Sequence, residues 1–407
     1  MQRTFIIAAA VLVILGLGVA AYFFFFSGSS AGVTVTTPSG NTTLPSAGQG
    51  AVPATDTTTG TGGTSGTPTG SLSAPVAVSS RLVKISAGPI VPGEAVITKA
   101  ATASSTAETT VNYIDRQSGN IFSYSTLTKQ NTRTSNKTIP GIQSAAWLPN
   151  GSTAFVRYLS GNDFGTINTY ALPANGASGF FLAQNLADLS VSATGVLTLA
   201  SGVTGSTASV ARTDGTHAAT VFSSPLSALR ASFAGKQYLA TTKASETLPG
   251  SAFIVDTAGR FLRIAGPHNG LVAIASPSGK WVLASYTSNS ALQMELVNVA
   301  TGEVTVLPVA TIADKCVWAA DDAMIYCGIP VNPPPGAVYP DDWYQGAVHF
   351  NDRIWKIQVA GRYAQLVLDF PTETKDTLDA TALAIDSANT TLVFVNKNDG
   401  SLWSYQL

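Results

Sequence analysis

From Gly119 to Asn389 the chain alternates short apolar runs of β type with tight-turn signals, one turn about every 20 residues. The turns form two interleaved series. One holds Gly119, Gly176, Gly215, Gly259, Gly302 and Gly361; within it, Phe253-Ile254-Val255-Asp256 runs into Gly259-Arg260-Phe261 as a clear strand, turn, strand. The other holds Gly151, Gly195, Gly235, Gly279, Asp322 and Asn389. No long stretch keeps a helical period. Radially repeated four-stranded sheets give this rhythm, so the pattern predicts an all-β fold built as a single β-propeller.

In a propeller blade the strands run a to d from the axis outward. Taking the second series as a–b turns and the first as c–d turns, six blades are read directly. The runs at 95–98, 110–114 and 121–124 supply an earlier blade, which makes seven, with six or eight as alternatives. The chain ends on Leu402-Trp403-Ser404-Tyr405, a strand c with no d after it. Arg81-Leu82-Val83-Lys84-Ile85 is expected to supply that strand and close the ring, which removes its open ends. The propeller domain is therefore set at 79–407.

At Ser276-Pro277-Ser278-Gly279-Lys280-Trp281 the chain resembles the turn motif of TolB-like, WD-repeat-type propellers, with Ser278 where that family usually has Asp. Ala146-Trp147-Leu148-Pro149-Asn150-Gly151 is a looser copy. The resemblance implies a propeller used mostly for binding protein or ligand, and it carries no catalytic residue across.

The amino-terminal pattern is different. Phe5 to Phe26 is a run of 22 residues without a charge, and about 20 helical residues cross a bilayer core. This predicts one transmembrane helix at 5–26. Arg3 precedes it and no Lys or Arg follows before Arg81, so residues 1–4 are expected on the cytoplasmic side and the bulk outside. Cleavage near Ser29-Ser30-Ala31 is the alternative. Residues 27–78 are almost all Ser, Gly, Thr, Pro and Ala with Asp56 the only charge, a composition that predicts a disordered linker. Anchor, linker and propeller together are similar to the layout of exported bacterial propellers. The chain has 22 Lys and Arg against 23 Asp and Glu, so no basic field exists to draw nucleic acid as a partner.

Cys316 and Cys327 stand symmetrically about the turn at Asp321-Asp322. In an antiparallel hairpin they face each other within bonding range, and an exported location favours oxidation, so a disulfide is expected.

The longest irregularity lies in the same blade. Asp322 and Gly361 are 39 positions apart, where undisturbed blades show roughly 20 to 25. The extra residues fall at the b–c corner, and b–c and d–a corners share one face of the ring. They include Tyr339, Asp341, Asp342, Trp343 and Tyr344. Three aromatic rings beside two carboxylates suit either the hot spot of a protein interface or stacking on a sugar ring, which makes these five the candidate ligand-binding residues. The alternative is that Trp343 and Tyr344 fold back as a lid over the channel or a neighbouring blade.

Catalytic patterns are weak. The match at Gly28-Ser29-Ser30-Ala31-Gly32 lies in the linker, where no packed strand-to-helix turn can form. His217, His268 and His349 lack zinc-ligand spacing, and the segment from Asn396 lacks the Gly and Glu of a calcium loop. No catalytic residue, metal or cofactor is assigned. Acids such as Asp314, Asp352 and Asp379 map to the long-loop face with Lys129, Lys243 and Lys315 among them, a mixture expected of solvated surface. The expectation is a membrane-anchored extracytoplasmic propeller that binds a protein partner in the envelope or at the cell surface. Glycan binding and a carboxylate hydrolase are the alternatives.

Overall fold

The computed structural model describes residues 74–103 and 105–407. The span read at 5–26, the residues before it and the linker up to residue 73 lie outside the described residues. Among the described residues no helix is long and apolar enough to cross a membrane.

Seven antiparallel sheets follow one another along the chain, so the fold is a seven-bladed β-propeller, as the resemblance implied. In chain order the blades occupy 95–135, 142–181, 186–224, 229–269, 272–306, 316–369 and 380–406. The last is completed from the other end of the domain. Leu82–Ser86 pairs antiparallel with Leu402–Gln406, with Leu82 opposite Tyr405, Val83 opposite Ser404 and Lys84 opposite Trp403. The expected closing strand is therefore in place. Val76–Ala77 then adds a fifth, outermost strand against Lys84 and Val83, so the ring takes in the end of the stretch read as linker. This strand runs away from the b–c and d–a corners.

The core lies in the seams between blades, and strand alternation builds it. In the seventh blade Leu392, Phe394, Trp403 and Tyr405 turn toward the sixth. Their neighbours Val393, Val395 and Leu402 turn with Val83 and Ile85 toward the first. Each strand thus serves two seams with its two faces.

One turn differs from expectation. In the first blade Ile121–Ser125 is strand c and Gln130–Ser135 is strand d, which puts Gly119 at the b–c corner and not at c–d. Gln130–Ser135 is a polar, mostly exposed outer strand with no apolar period to find. Lys129, at φ 56°, takes the left-handed turn position that Gly fills in most other blades.

The TolB-like motif also gains a physical reading. Gly235 and Gly279 occupy a–b turns of adjacent blades, and a Cβ on Gly279 would stand 2.3 Å from Ala234 O. Only glycine lets the two backbones meet. Ser278, where the family has Asp, borrows a carboxylate: Ser276 Oγ donates to Asp322 of the next blade at 3.0 Å, and Ser278 N–H donates to the same group at 3.2 Å.

Candidate functional site

The sixth blade carries the site. Its first two strands, Cys316–Trp318 and Met324–Pro330, pair Cys316 with Cys327 across the hairpin. The two are joined as a disulfide, with Cα atoms 4.1 Å apart. The extra residues 331–351 then cross the long-loop face before returning as Asp352–Gln358. In their middle is one short helix, Asp341–Gln345.

This segment brings Tyr339, Asp341, Asp342, Trp343 and Tyr344 together but gives them different surroundings. Tyr339 and Trp343 are buried, whereas Tyr344 is 42 % exposed. Tyr339 packs on Phe350 and donates its hydroxyl to Pro334 O at 2.9 Å, while its own carbonyl accepts Thr287 Oγ1 of the fifth blade. Asp341 accepts the Glu246 N–H from the fourth blade at 2.6 Å. Asp342 accepts the Val338 N–H at 2.8 Å, which steadies the entry to the helix. Trp343 points into the seam toward the seventh blade and donates its indole N–H to Asp379 Oδ2 at 3.0 Å. The segment is thus a strap fastened to blades four, five and seven.

Tyr344 faces outward. Its hydroxyl donates to Asp314 Oδ2 at 2.7 Å, and Arg230 Nη1, on the inner strand of the fourth blade, donates to the same oxygen at 2.7 Å. Burial of the hydroxyl end, with Asp314 beside it, holds the Tyr344 phenol well above its ordinary range although Arg230 opposes this. Asp314 likewise raises the Arg230 guanidinium. Both groups keep their protons at any physiological pH, so this trio presents a fixed hydrogen-bonding edge at the channel mouth. Next to it a cavity of about 220 Å³ opens among the inner strands, with Asp188, Ser190, Arg230 and Ser232 on its wall.

Beneath the strap lies a cluster that the sequence pattern does not reveal. Lys315, Asp352 and Asp379 are fully buried and in contact. They were expected among solvated charges, but their partners are 37 and 64 positions away, a distance at which no local spacing signals a contact. Burial pushes the Asp352 carboxyl up to about 6, with Asp379 adding and Lys315 opposing. Lys397 of the seventh blade completes the group: its Nζ lies 4.2 Å from the Trp343 ring centroid and donates to Trp343 O. Burial lowers its pKa, against the pull of Asp379. Among the described residues no cluster of three His, Cys, Asp or Glu side chains is spaced to hold a metal ion.

The geometry defines a seven-bladed propeller with one reinforced blade and an elaborated loop face. No protein-family model matches the sequence, and no curated protein matches it. Among solved structures, an oligogalacturonate lyase in complex with manganese is similar with a TM-score of 0.51 at 8 % identity, covering 78 % of this chain and 98 % of the other. The oligogalacturonate lyase of Vibrio parahaemolyticus gives 0.54 at 7 %, covering 80 % and 93 %. TolB of Acinetobacter baumannii gives 0.41 at 14 %, covering 68 % and 79 %. At such identities the likeness is one of fold.

Proposed function

We propose that this chain is a protein-binding scaffold, anchored by a helix at 5–26 and carrying its propeller outside the membrane on the linker 27–78. The observation that carries this reading is an asymmetry between the two faces. Phe164, Val203, Leu226, Leu248, Val338 and Tyr344 are exposed in the loops of b–c and d–a corners, whereas among the described residues Leu127 is the one large exposed hydrophobic in the loops of the a–b and c–d turns, with Phe261, Val304 and Tyr363 exposed at the starts of outer strands. Apolar groups set out on one side of a ring mark a contact surface. In this reading Tyr344 makes contact, Asp341 and Asp342 line its flank, and Tyr339 and Trp343 hold the strap in shape.

Cross-linking in intact cells, followed by recovery of the full chain, tests it. The expected result is a protein partner captured by the wild type and lost when Tyr344, Phe164 and Leu248 are replaced by Ser. An unchanged set of captured proteins would overturn the reading, and retention on cell-wall polysaccharide without any captured protein would replace it with glycan binding.

A further inference from the structure

Two buried carboxyl groups meet one buried amine at the seam of the sixth and seventh blades, although an ion pair needs only one of them. Lys315 Nζ donates to Asp352 Oδ2 at 2.7 Å, to Asp379 Oδ1, and to Ala380 O at 2.9 Å. All three side chains are sealed from water, and taking three ionised groups out of water is costly. The second acid is left unexplained by pairing alone.

The two acids are held differently. Asp379 Oδ2 accepts both the Trp343 indole N–H and the Phe350 backbone N–H, each at 3.0 Å. Two donors converging on one carboxyl oxygen are the arrangement that stabilises an oxyanion during acyl transfer. Asp352 accepts Lys315 and the Ala380 N–H on Oδ2, while its Oδ1 is buried with no hydrogen-bond partner. With its carboxyl pushed up to about 6, Asp352 is suited to pass a proton near neutral pH. The rings of Trp343 and Phe350 stand 5.0 and 5.1 Å from Nζ and keep water from the amine. Lys397, on the far side of Trp343, is the other cation facing the group.

We propose that Lys315 and Asp379 join in an intramolecular isopeptide bond, with Asp352 as proton carrier. Asp352 takes a proton from the ammonium, and the freed lone pair attacks Asp379 Cγ to form the C–N bond. The carbonyl electron pair moves onto Oδ2, where Trp343 and Phe350 hold it. Asp352 then returns its proton to Oδ1, the nitrogen gives up a second proton to the same oxygen, and the Cγ–Oδ1 bond breaks to release water. One ammonium and one carboxylate become one amide and one water, and Asp352 ends as it began. No outside reagent is consumed. The bond closes a covalent loop between residues 64 apart, beside the Cys316–Cys327 disulfide.

The test is tryptic digestion and tandem mass spectrometry of the full chain purified in detergent. The expected product is segment 281–353, uncleaved at Lys315, joined to segment 376–397 with a mass one water below their sum. Asp352→Asn should fold with wild-type circular dichroism and lack the link, and Lys315→Arg should lack it too. Separate wild-type segments, one ending at Lys315 and another spanning Asp379, would overturn the proposal, as would a link from Lys315 to Asp352. A bond formed at the wild-type level in Asp352→Asn would remove Asp352 from its role. Should that variant not fold, the wild-type digest still decides the bond.

Discussion

Where the ring closes, a backbone ladder of Leu82–Ser86 against Leu402–Gln406 completes the seventh blade, and apolar packing with Ile85 sealed in the seam joins that blade to the first. Between the sixth and seventh blades an apolar seam of the same kind is present, and polar side chains are added to it: Lys315, Asp352, Asp379 and Trp343 meet from four separate segments. The first fastening is non-directional and tolerates exchange of one apolar group for another of similar size. The second depends on the position of each polar atom, because a buried charge left alone costs more than the pair contributes. Closure needs only burial and strand pairing; reinforcement under the strap needs chemistry.

Replacing one group on each side separates the two. Ile85→Asp, which buries a lone carboxylate at the closing seam, should lower stability by more than about 5 kcal/mol and leave no cooperative transition in urea. Asp379→Ala should cost about 3–5 kcal/mol, because Lys315, left with Asp352 alone, loses its partner at the seventh blade while the buried Trp343 and Phe350 N–H groups lose their acceptor. A loss near 1 kcal/mol in urea unfolding would show that this seam is no more than ordinary packing.

A third variant probes a polar group on the closure side. Glu94 precedes the first strand of the first blade, with both carboxyl oxygens buried and without hydrogen-bond partners. Burial pushes it from 4.5 up to about 8, with the Gly93 N–H a small opposing influence. The folded chain therefore keeps a proton that the unfolded chain gives up, so Glu94 takes stability away as pH rises from about 4.5 to about 8 and no further above that. Glu94→Gln should remove this loss and gain on the order of 2–4 kcal/mol at about pH 8 over the wild type, with little difference at about pH 4. Urea midpoints across that range check it, and equal pH profiles for the two proteins would contradict it.

What the sequence disclosed follows the same division. Strand alternation and turn chemistry are local, so the blade rhythm and the Cys316–Cys327 hairpin were legible from residues close in the chain, and the closing segment at Leu82 followed from the blade count, which left a strand c at Leu402 without its d. Gly119 was misplaced because Gln130–Ser135 has no apolar face and Lys129 takes the place of a glycine. The insert was visible as extra length and an inward turn of Trp343 was one of its two readings, but the acceptor that turn reaches was not visible, since Asp379 lies 36 positions away. Nothing in the spacing of Lys315, Asp352 and Asp379 distinguishes a sealed cluster from scattered surface charge.

The outermost strand, Val76–Ala77, is hydrogen-bonded to the same segment that completes the seventh blade. Any pull transmitted along the backbone ahead of Val76 therefore reaches the ring's own latch before any other element. Two residue pairs would unzip first, and the next rung to bear the load is the pairing of Leu82 with Tyr405.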